Sequence, residues 1–434
     1  MKERIATSAL QPGMFVVELD RPWLGTPFLL QGFLIEDDNE LQLLRQFCQT
    51  VIIDRSRSIG IHSLPSASGV APAAREPSGF VSADEAQPDD FAQICEYLRK
   101  QPPRRHTRKP AINPSDGQSR LEPELLYSAP LIDDVKNTLA SIRENLNFEN
   151  CEKIEQIGSL VHELADSVQR NPDALLWLTR LKSTDRYSYD HAVDVSIHAM
   201  IFARFLNLPT ETVEGLGLAG MMQDIGKVDL PQEILNKPGQ LDDAEYALAQ
   251  SHVGSSIEML VGQPGFDTRL IEIVACHHER HDGSGYPRRL AGDKIKLEAE
   301  LAGLIDAYCA MTRKRVYNPA VSHHRALEEL IGMRGSKFRT PLVDQFIQCM
   351  GVYPVGALVE LNSGEVAVVI QQNKVRRLQP RVFVVLAADK SIEHYPRTLD
   401  LLMQPQTPKG EPYRILRSLP PDAYGIDPRE LYLA

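Results

Sequence analysis

Between residues 123 and 350, apolar side chains recur at steps of three and four residues. The segments LIDDVKNTLASIRENL and IEQIGSLVHELADSV carry this spacing, and similar patterns continue towards residue 350. A period of 3.6 residues is typical of amphipathic helices, whose apolar stripes must be buried against one another. The sequence therefore predicts an all-α bundle that fills residues 123–350.

The sequence on either side of this helical stretch has the pattern of β-strands. Residues 1–62 contain the runs GMFVVEL, TPFLLQGFLI and TVIIDRS, with a turn expected at residues 20–22. Residues 351–434 contain ALVELNSGEVAVVIQQN and PRVFVVLAAD, and the NSG triplet between alternating runs indicates a hairpin. The predicted fold is thus multidomain and mainly α, with a small β-rich N-terminal domain and a small β-rich C-terminal subdomain.

Residues 63–122 differ in composition from both neighbours. Stretches such as SLPSASGVAPAAREPSG and KQPPRRHTRKPAINPSDGQ are rich in Pro, Ser, Gly and charge. Such a segment buries too little apolar area to offset chain entropy, so we expect a linker with one short helix near FAQICEYLRK.

Composition excludes several classes of partner and location. A formal net charge of -11 argues against non-specific binding of DNA or RNA. The chain has no apolar stretch long enough to span a bilayer, and its start, MKERIATSAL, lacks the apolar core of a secretory signal. The six cysteines are scattered, as expected for reduced thiols. We expect a cytoplasmic protein.

Histidines and aspartates cluster on successive predicted helices in the second half of the bundle. Imidazole and carboxylate groups together suit iron, manganese, zinc or similar divalent ions. Adjacent histidines on a helix point about 100° apart, so both face one site only at a helix end or between two metals. The candidate ligands are His191, Asp224, His252, His277, His278 and Asp306.

The order of these motifs carries more information than any single residue. HAVDV, QDIGKVDLP, SHVGSSIEML, HHERHDGSGYP and LIDAYCAMT follow one another over about 120 residues. This order, within residues 185–330, resembles the HD-GYP family of cyclic di-GMP phosphodiesterases in the HD superfamily. The N-terminal run LQPGMFVVELDRPWLGTPFLLQGFLI resembles a domain of uncharacterised function that often precedes HD-GYP domains.

The resemblance implies hydrolysis of cyclic di-GMP to the linear dinucleotide pGpG, to GMP, or to both. Bound metals meet the two demands of this chemistry, an activated water and charge stabilisation on phosphoryl oxygens. Asp224 corresponds to the bridging carboxylate of the family. Lys227, just past a helix end marked by Gly226, offers a point charge to a phosphate, although a cation there also suits the helix dipole. Asp224 and Lys227 are therefore the predicted catalytic residues.

The resemblance also assigns ligand-binding positions beyond the metal centre. Arg315 matches a phosphate-contacting arginine of the family, nine residues after Asp306. The loop Gly285-Tyr286-Pro287 corresponds to one that lies at the ligand site and is linked to docking of GGDEF domains, which synthesise cyclic di-GMP. The other nearby cations, among them Arg280, Arg288, Arg289 and Arg313, are expected to be solvated.

The chain departs from the family pattern at the doublet that gives the family its name. Gln223 stands where the first histidine is expected, and an amide oxygen is a poorer ligand than imidazole for a transition metal. Tyr187 occupies the position of a glutamate that completes a third metal site in some members, and Cys309 and Asn318 replace other frequent residues. We expect a dinuclear or incomplete site for Fe, Mn, Mg or Ni, with Gln223 as its weakest ligand.

Two alternatives to a cyclic di-GMP phosphodiesterase remain open at this point. One is a catalytically degenerate module that senses cyclic di-GMP or docks a partner without hydrolysing it, because of Gln223. The other is hydrolysis of a different phosphoester, such as another cyclic dinucleotide or a nucleotide monophosphate.

Overall fold

The structure is a computed structural model. It describes residues 2–11, 13–20, 33–35, 38–55, 58, 91, 109–112, 119–144, 151–181, 187–237, 239–313, 321–373, 376–420 and 423–425. The chain divides into two compact units, residues 1–88 with 373–377, and residues 89–372 with 378–434.

The N-terminal unit contains a four-stranded antiparallel sheet in the order β1-β4-β2-β3. Its strands are β1 Lys2–Ala6, β2 Phe15–Leu19, β3 Phe33–Leu34 and β4 Thr50–Asp54. One helix, α1 (Asp38–Phe47), packs Leu41 and Leu44 into the core beside Val16 and Ile53. The sequence analysis did not identify this helix, because its apolar stripe is only about two turns long.

Several sequence predictions for the first 122 residues lie outside the described part of the chain. These are residues 21 and 22 of the expected turn, most of TPFLLQGFLI, and all but the first residue of the short helix predicted near FAQICEYLRK. Phe91, at the start of that predicted helix, is described and is fully buried. Its ring centroid lies 5.2 Å from those of Trp177 and Phe383, so this position of the predicted linker packs in the main core.

The larger unit is helical over most of its length. Its helices are α2 Leu121–Glu144, α3 Cys151–Arg170, α4 Pro172–Leu181, α5 Tyr187–Phe205, α6 Thr210–Met222, α7 Gln232–Leu235, α8 Asp243–Gln250, α9 His252–Leu260, α10 Thr268–Cys276, α11 Leu297–Thr312, α12 His323–Gly332 and α13 Thr340–Met350. A 3-10 helix, Ile225–Asp229, links α6 to α7. Ser251 divides DAEYALAQSHVGSSIEML, which the sequence presented as one segment, between α8 and α9.

Helix α5 lies at the centre of the bundle. It is buried on nearly all sides, and the ten residues of HAVDVSIHAM are all buried. Its neighbour α6 approaches closely at two glycines. A Cβ on Gly217 would lie 2.7 Å from Met200 Sδ, and one on Gly220 would lie 3.1 Å from Val195 Cγ1. This close contact holds together the two helices from which the first candidate ligands come.

A five-stranded antiparallel sheet in the order β8-β7-β6-β5-β9 follows the helices. Its strands are β5 Leu358–Leu361, β6 Val366–Gln371, β7 Arg381–Leu386, β8 Ile392–Asp400 and β9 Ile415–Leu419. Strands β5 and β6 form the hairpin that NSG indicated. One face of β6, including Val366 and Val368, joins the helical core. The expected fold class, a helical bundle with small β-sheets at both ends, is confirmed.

No described helix is both long enough and apolar enough to cross a membrane.

Candidate metal centre

Asp224 lies at the junction between α6 and the 3-10 helix, where its carboxylate contacts side chains from three other segments. Its Oδ1 is 3.3 Å from His252 Nε2 and 3.7 Å from His277 Nε2. Its Oδ2 is 3.7 Å from His191 Nε2 and 2.6 Å from Lys227 Nζ. Asp224 is thus the one carboxylate that contributes to both groups of potential ligands found among the described residues.

The first group consists of Asp224, His252, His277 and His278, whose ligand atoms all lie within 4.8 Å of one another. His252 is the first residue of α9, and His277 directly follows α10. The two adjacent histidines lie at the C-terminal end of α10, one of the two positions at which successive side chains can face one site.

Backbone carbonyls orient two of these imidazoles. Nδ1 of His252 lies 2.6 Å from the carbonyl oxygen of Ala249, and Nδ1 of His277 lies 2.6 Å from that of Val274. Because a carbonyl oxygen only accepts hydrogen bonds, each Nδ1 carries the proton and each Nε2 presents a lone pair. Histidines that bind metal are commonly held in this way.

The atoms that face one another in this group are all acceptors. Asp224 Oδ1, His252 Nε2 and His277 Nε2 are buried and have no hydrogen-bond partner within the described residues. Buried acceptors that converge without a donor are unfavourable unless a cation or proton lies between them. The donor set of three imidazoles and a carboxylate therefore fits a divalent transition metal.

The second group consists of His191, Asp224 and Asp306. His191 Nε2 on α5 lies 2.9 Å from Asp306 Oδ1 on α11. Asp306 Oδ2 lies 3.9 Å from His278 Nδ1, which brings the two groups side by side. This second group contains one imidazole and two carboxylates, and it is richer in oxygen than the first.

Gln223 borders the second group. Its side chain is 1% exposed, and its Nε2 donates a hydrogen bond of 3.2 Å to Asp306 Oδ1. That bond turns the amide oxygen away from Asp306, and Gln223 Oε1 is buried without a hydrogen-bond partner among the residues described. An amide oxygen is thus available where the family has an imidazole, but the amide nitrogen occupies a carboxylate oxygen that would otherwise serve as a ligand.

Burial and charge set the protonation of the site. Burial raises the pKa of Asp224, but attraction to the Lys227 ammonium, reinforced by the nearby imidazoles, outweighs it and holds that pKa well below its usual range. Burial also raises the pKa of Asp306, and the hydrogen bond with His191 more than reverses this. Burial, followed by repulsion from His277, lowers the pKa of His278 well below its usual value. Both carboxylates are ionised and His278 is neutral, the protonation states that metal binding requires.

Lys227 is held beside Asp224 by a close approach of two backbone segments. A Cβ on Gly226 would lie 2.3 Å from the carbonyl oxygen of His252 and 2.4 Å from the backbone nitrogen of Ser256. Only glycine fits there without a shift of backbone. Gly226 therefore places Asp224 and Lys227 on one side and His252 on the other, within contact distance.

In the loop Gly285-Tyr286-Pro287, the ring of Tyr286 stacks on His278 with centroids 4.6 Å apart. A Cβ on Gly285 would lie 2.4 Å from the backbone nitrogen of Arg280, so this glycine is needed for packing within the loop itself. Pro287 is exposed. The buried carboxylate of Glu279 anchors the segment that follows the loop by accepting hydrogen bonds from the backbone N–H groups of Arg288 and Leu290.

The cations near the site mostly have structural partners. The expectation that Arg313 is solvated is wrong, because its guanidinium is buried and pairs with Asp194 and, at 3.4 Å, with Asp190. Lys136 pairs with Asp190 from the opposite side. Arg280 is also partly buried and donates hydrogen bonds to the carbonyl oxygens of His277 and Glu279. The predicted phosphate contact, Arg315, lies outside the described residues, as does Asn318.

The structure brings together all seven predicted metal positions and Lys227, with Tyr286 against them. Their roles remain predictions. Sequence analysis missed Glu279, Asp190 and Asp194. The aspartates carry a signal, since both lie within one turn of His191 in residues 190–200 of the helix, which are buried throughout. A carboxylate at such a position requires a cationic partner.

Comparisons with known proteins agree with this geometry. A family model described as HD domain matches residues 171–340, and one described as a domain of unknown function, DUF3391, matches residues 2–157. A cyclic di-GMP phosphodiesterase of Pseudomonas aeruginosa is 34% identical over 409 residues, which cover 94% of this chain and 91% of the relative. The chain belongs to the HD-GYP family.

Other similar proteins include one that matches a smaller part of the chain. A 3'3'-cGAMP-specific phosphodiesterase of Vibrio cholerae is 31% identical over 211 residues, 47% of this chain and 37% of the relative. Among solved structures, an HDG"Y"P protein from Bdellovibrio bacteriovorus is 15% identical, with a TM-score of 0.45, and covers 80% of this chain and 98% of its own.

Proposed function

We propose that this HD-GYP protein is a metal-dependent phosphodiesterase that hydrolyses cyclic di-GMP to pGpG, GMP or both. The observation that carries the proposal is the convergence of Asp224 Oδ1 with Nε2 of His252 and His277, three buried acceptors without a hydrogen-bond donor in the described residues. The name of the Pseudomonas aeruginosa relative, which aligns with almost the whole chain, supports the substrate.

The proposed ligands of the resident ions are His191, Gln223, Asp224, His252, His277, His278 and Asp306. Divalent ions bound there supply Lewis acidity, which lowers the pKa of a water and polarises phosphoryl oxygens. Asp224 offers one oxygen to each ligand group and fixes their separation. Lys227, 2.6 Å from Asp224 Oδ2, holds a positive charge at the edge of the site, where it would stabilise negative charge on a phosphoryl oxygen.

The test is to load the purified protein separately with Fe, Mn, Mg and Ni, add cyclic di-GMP, and separate the products by ion-exchange chromatography. We expect pGpG or GMP with at least one metal, and a loss of about 100-fold or more for Asp224→Asn. Asp229→Asn is the matched control, since Asp229 is an exposed carboxylate of the same 3-10 helix. Absence of product with all four metals contradicts the proposal.

A second candidate is a degenerate module that binds cyclic di-GMP without hydrolysing it. The hydrogen bond from Gln223 Nε2 to Asp306 Oδ1 favours it, because the amide nitrogen satisfies an oxygen that a second metal would need. Calorimetric binding without product, together with turnover restored by Gln223→His, supports this candidate. Turnover by the wild type at the rate of that variant excludes it.

The substrate class has its own alternative, because the Vibrio cholerae relative is named for 3'3'-cGAMP. Equal concentrations of cyclic di-GMP, 3'3'-cGAMP and a nucleotide monophosphate, tested with the best metal, separate these substrates.

Docking of GGDEF domains to the exposed face of the Gly285-Tyr286-Pro287 loop is a further proposal. Pull-down of purified GGDEF domains by wild type and by Pro287→Ala tests it.

A further inference from the structure

Tyr246 is an aromatic residue that neither the predicted nor the proposed metal site includes. It lies on the short helix α8, and the residue is 52% exposed. Asp242 and Glu245 form a capping box at the start of this helix, and the backbone N–H of Tyr246 donates to the carbonyl oxygen of Asp242 at 2.7 Å. Lys237 also pairs with Glu245. The exposed ring is thus carried by a helix whose first turn is firmly held.

A line of rings connects Tyr246 to the metal centre. Its ring is nearly perpendicular to that of Tyr286, at 78°, with centroids 6.3 Å apart. The ring of Tyr286 in turn stacks on the ligand His278 and lies 6.5 Å from the ring of His252. Tyr286 therefore contacts the ligand histidines directly, and Tyr246 lies farther from the metal centre, on the other side of Tyr286.

We propose that Tyr246 forms a stacking surface for a purine base of the nucleotide substrate, an inference that rests on the proposed phosphodiesterase function. In a cyclic dinucleotide the ribose separates each base from the phosphodiester. A base must then bind beside the metal ligands and not among them. Tyr246 lies in such a position, beside the ligands. An exposed ring on a rigid helix suits this role because stacking requires only a flat, accessible face and little loss of side-chain entropy.

Tyr286 is less suited to the same role, since one face of its ring is covered by His278 and its hydroxyl lies in a desolvated place. Burial, then repulsion from Asp224, raises the pKa of the Tyr286 phenol. Tyr286 is thus part of the wall of the site, and Tyr246 extends that wall outwards. Leu248, on the same helix, is 43% exposed and not aromatic, which makes it a matched control.

The experiment makes two measurements on the full chain, steady-state kinetics with cyclic di-GMP after metal loading and calorimetric titration of Mn²⁺ into chelator-treated protein. Stacking on an aromatic ring is worth about 1–3 kcal/mol per base, which corresponds to roughly 5–150-fold in affinity. We expect Tyr246→Ala to raise KM for cyclic di-GMP by such a factor with little change in kcat. Tyr246→Phe keeps the ring and should restore the wild-type KM, and Leu248→Ala should leave it unaltered.

An unchanged KM for cyclic di-GMP in Tyr246→Ala overturns the inference. So does a loss of Mn²⁺ affinity in Tyr246→Ala, which would mean that the variant disturbs the metal centre. If the wild type binds cyclic di-GMP without hydrolysing it, the proposed activity fails, and the Kd measured by calorimetry for the same three variants still decides the role of Tyr246. If the wild type does not bind cyclic di-GMP, both proposals fail.

Discussion

Gln223 and Asp306 are joined by a hydrogen bond of 3.2 Å between the amide nitrogen and carboxylate Oδ1. The same oxygen lies 2.9 Å from His191 Nε2, so two N–H donors converge on it. In this arrangement Asp306 Oδ1, an acceptor of the oxygen-rich ligand group, already has hydrogen-bond donors. The imidazole-rich group around Asp224 contains orphaned acceptors instead. The imidazole-rich group therefore needs a bound cation more than the oxygen-rich group does.

This difference predicts that Gln223→His tightens binding of a second metal ion. The new imidazole replaces a neutral amide, and Asp306 loses a competing donor, so we expect affinity to rise by about 10–100-fold, the range found for lost supporting contacts at metal sites. Calorimetric titration of Mn²⁺ into chelator-treated protein measures it, with elemental analysis for stoichiometry. Gln232→His, an exposed position on α7, is the control. A wild type that holds two ions as tightly as the variant contradicts this prediction.

A second prediction concerns the buried ion network beside His191. Replacing Arg313 by Met leaves the buried carboxylates of Asp190 and Asp194 without this cation, which typically costs about 3–5 kcal/mol of unfolding free energy. Urea denaturation measures the loss. Arg325→Met should change stability by well under about 1 kcal/mol, because Arg325 is 63% exposed in its pairs with Glu328 and Glu329. Equal losses of unfolding free energy in the two variants would show that the buried ion network stabilises the protein no more than an exposed ion pair does.

The order of helices and the members of the metal centre were predictable because both depend on local pattern. The 3.6-residue period predicts the helices. The succession of motifs selects Asp224, His252 and His277 from among many polar residues. What that pattern could not supply is the backbone contact that orients each imidazole, as between His277 Nδ1 and Val274. Such contacts depend on where a helix ends, which periodicity locates only to within a turn.

Non-local pairing accounts for most of what the sequence analysis missed. Arg313 and Asp194 are 119 residues apart in sequence, so no local pattern indicates their contact. Strand β9 pairs with β5 across more than fifty residues, and its alternation, with Leu416 and Arg417 both exposed, is too weak to identify it alone. Likewise, α8 ends and α9 begins at Ser251, where the sequence has neither glycine nor proline to indicate a boundary.

The third prediction is a pH dependence of the metal-free protein. The folded-state pKa of His278 is lowered by burial and by His277, so below pH about 6.5 the unfolded chain binds a proton that the folded chain does not. Stability is therefore complete above that pH and falls as the pH decreases, by at most about 1.4 kcal/mol per unit for this one group. Thermal unfolding in chelator between pH 7.5 and 5.5 measures it.

In that experiment His278→Asn should flatten the profile, because the titrating group is gone. His324→Gln serves as the control, since the side chain of His324 is 56% exposed. A profile for His278→Asn that is as steep as that of the wild type would assign the pH dependence to other groups.

The fourth prediction tests the close approach at Gly226. Gly226→Ala places a Cβ 2.3 Å from the carbonyl oxygen of His252, so the backbone must shift, at a typical cost of about 1–3 kcal/mol. Because Gly226 separates Asp224 from His252, the same shift should weaken metal binding at the imidazole-rich group. Gly254→Ala on α9 is the matched control: its Cβ meets nothing within 4 Å, and alanine should raise helix stability by up to about 1 kcal/mol. Unfolding free energy and metal Kd are measured on both variants. The unfolding free energy should fall in Gly226→Ala and rise in Gly254→Ala, whereas the metal Kd should change only in Gly226→Ala. Metal affinity that survives Gly226→Ala would show that the ligands adjust independently of this contact.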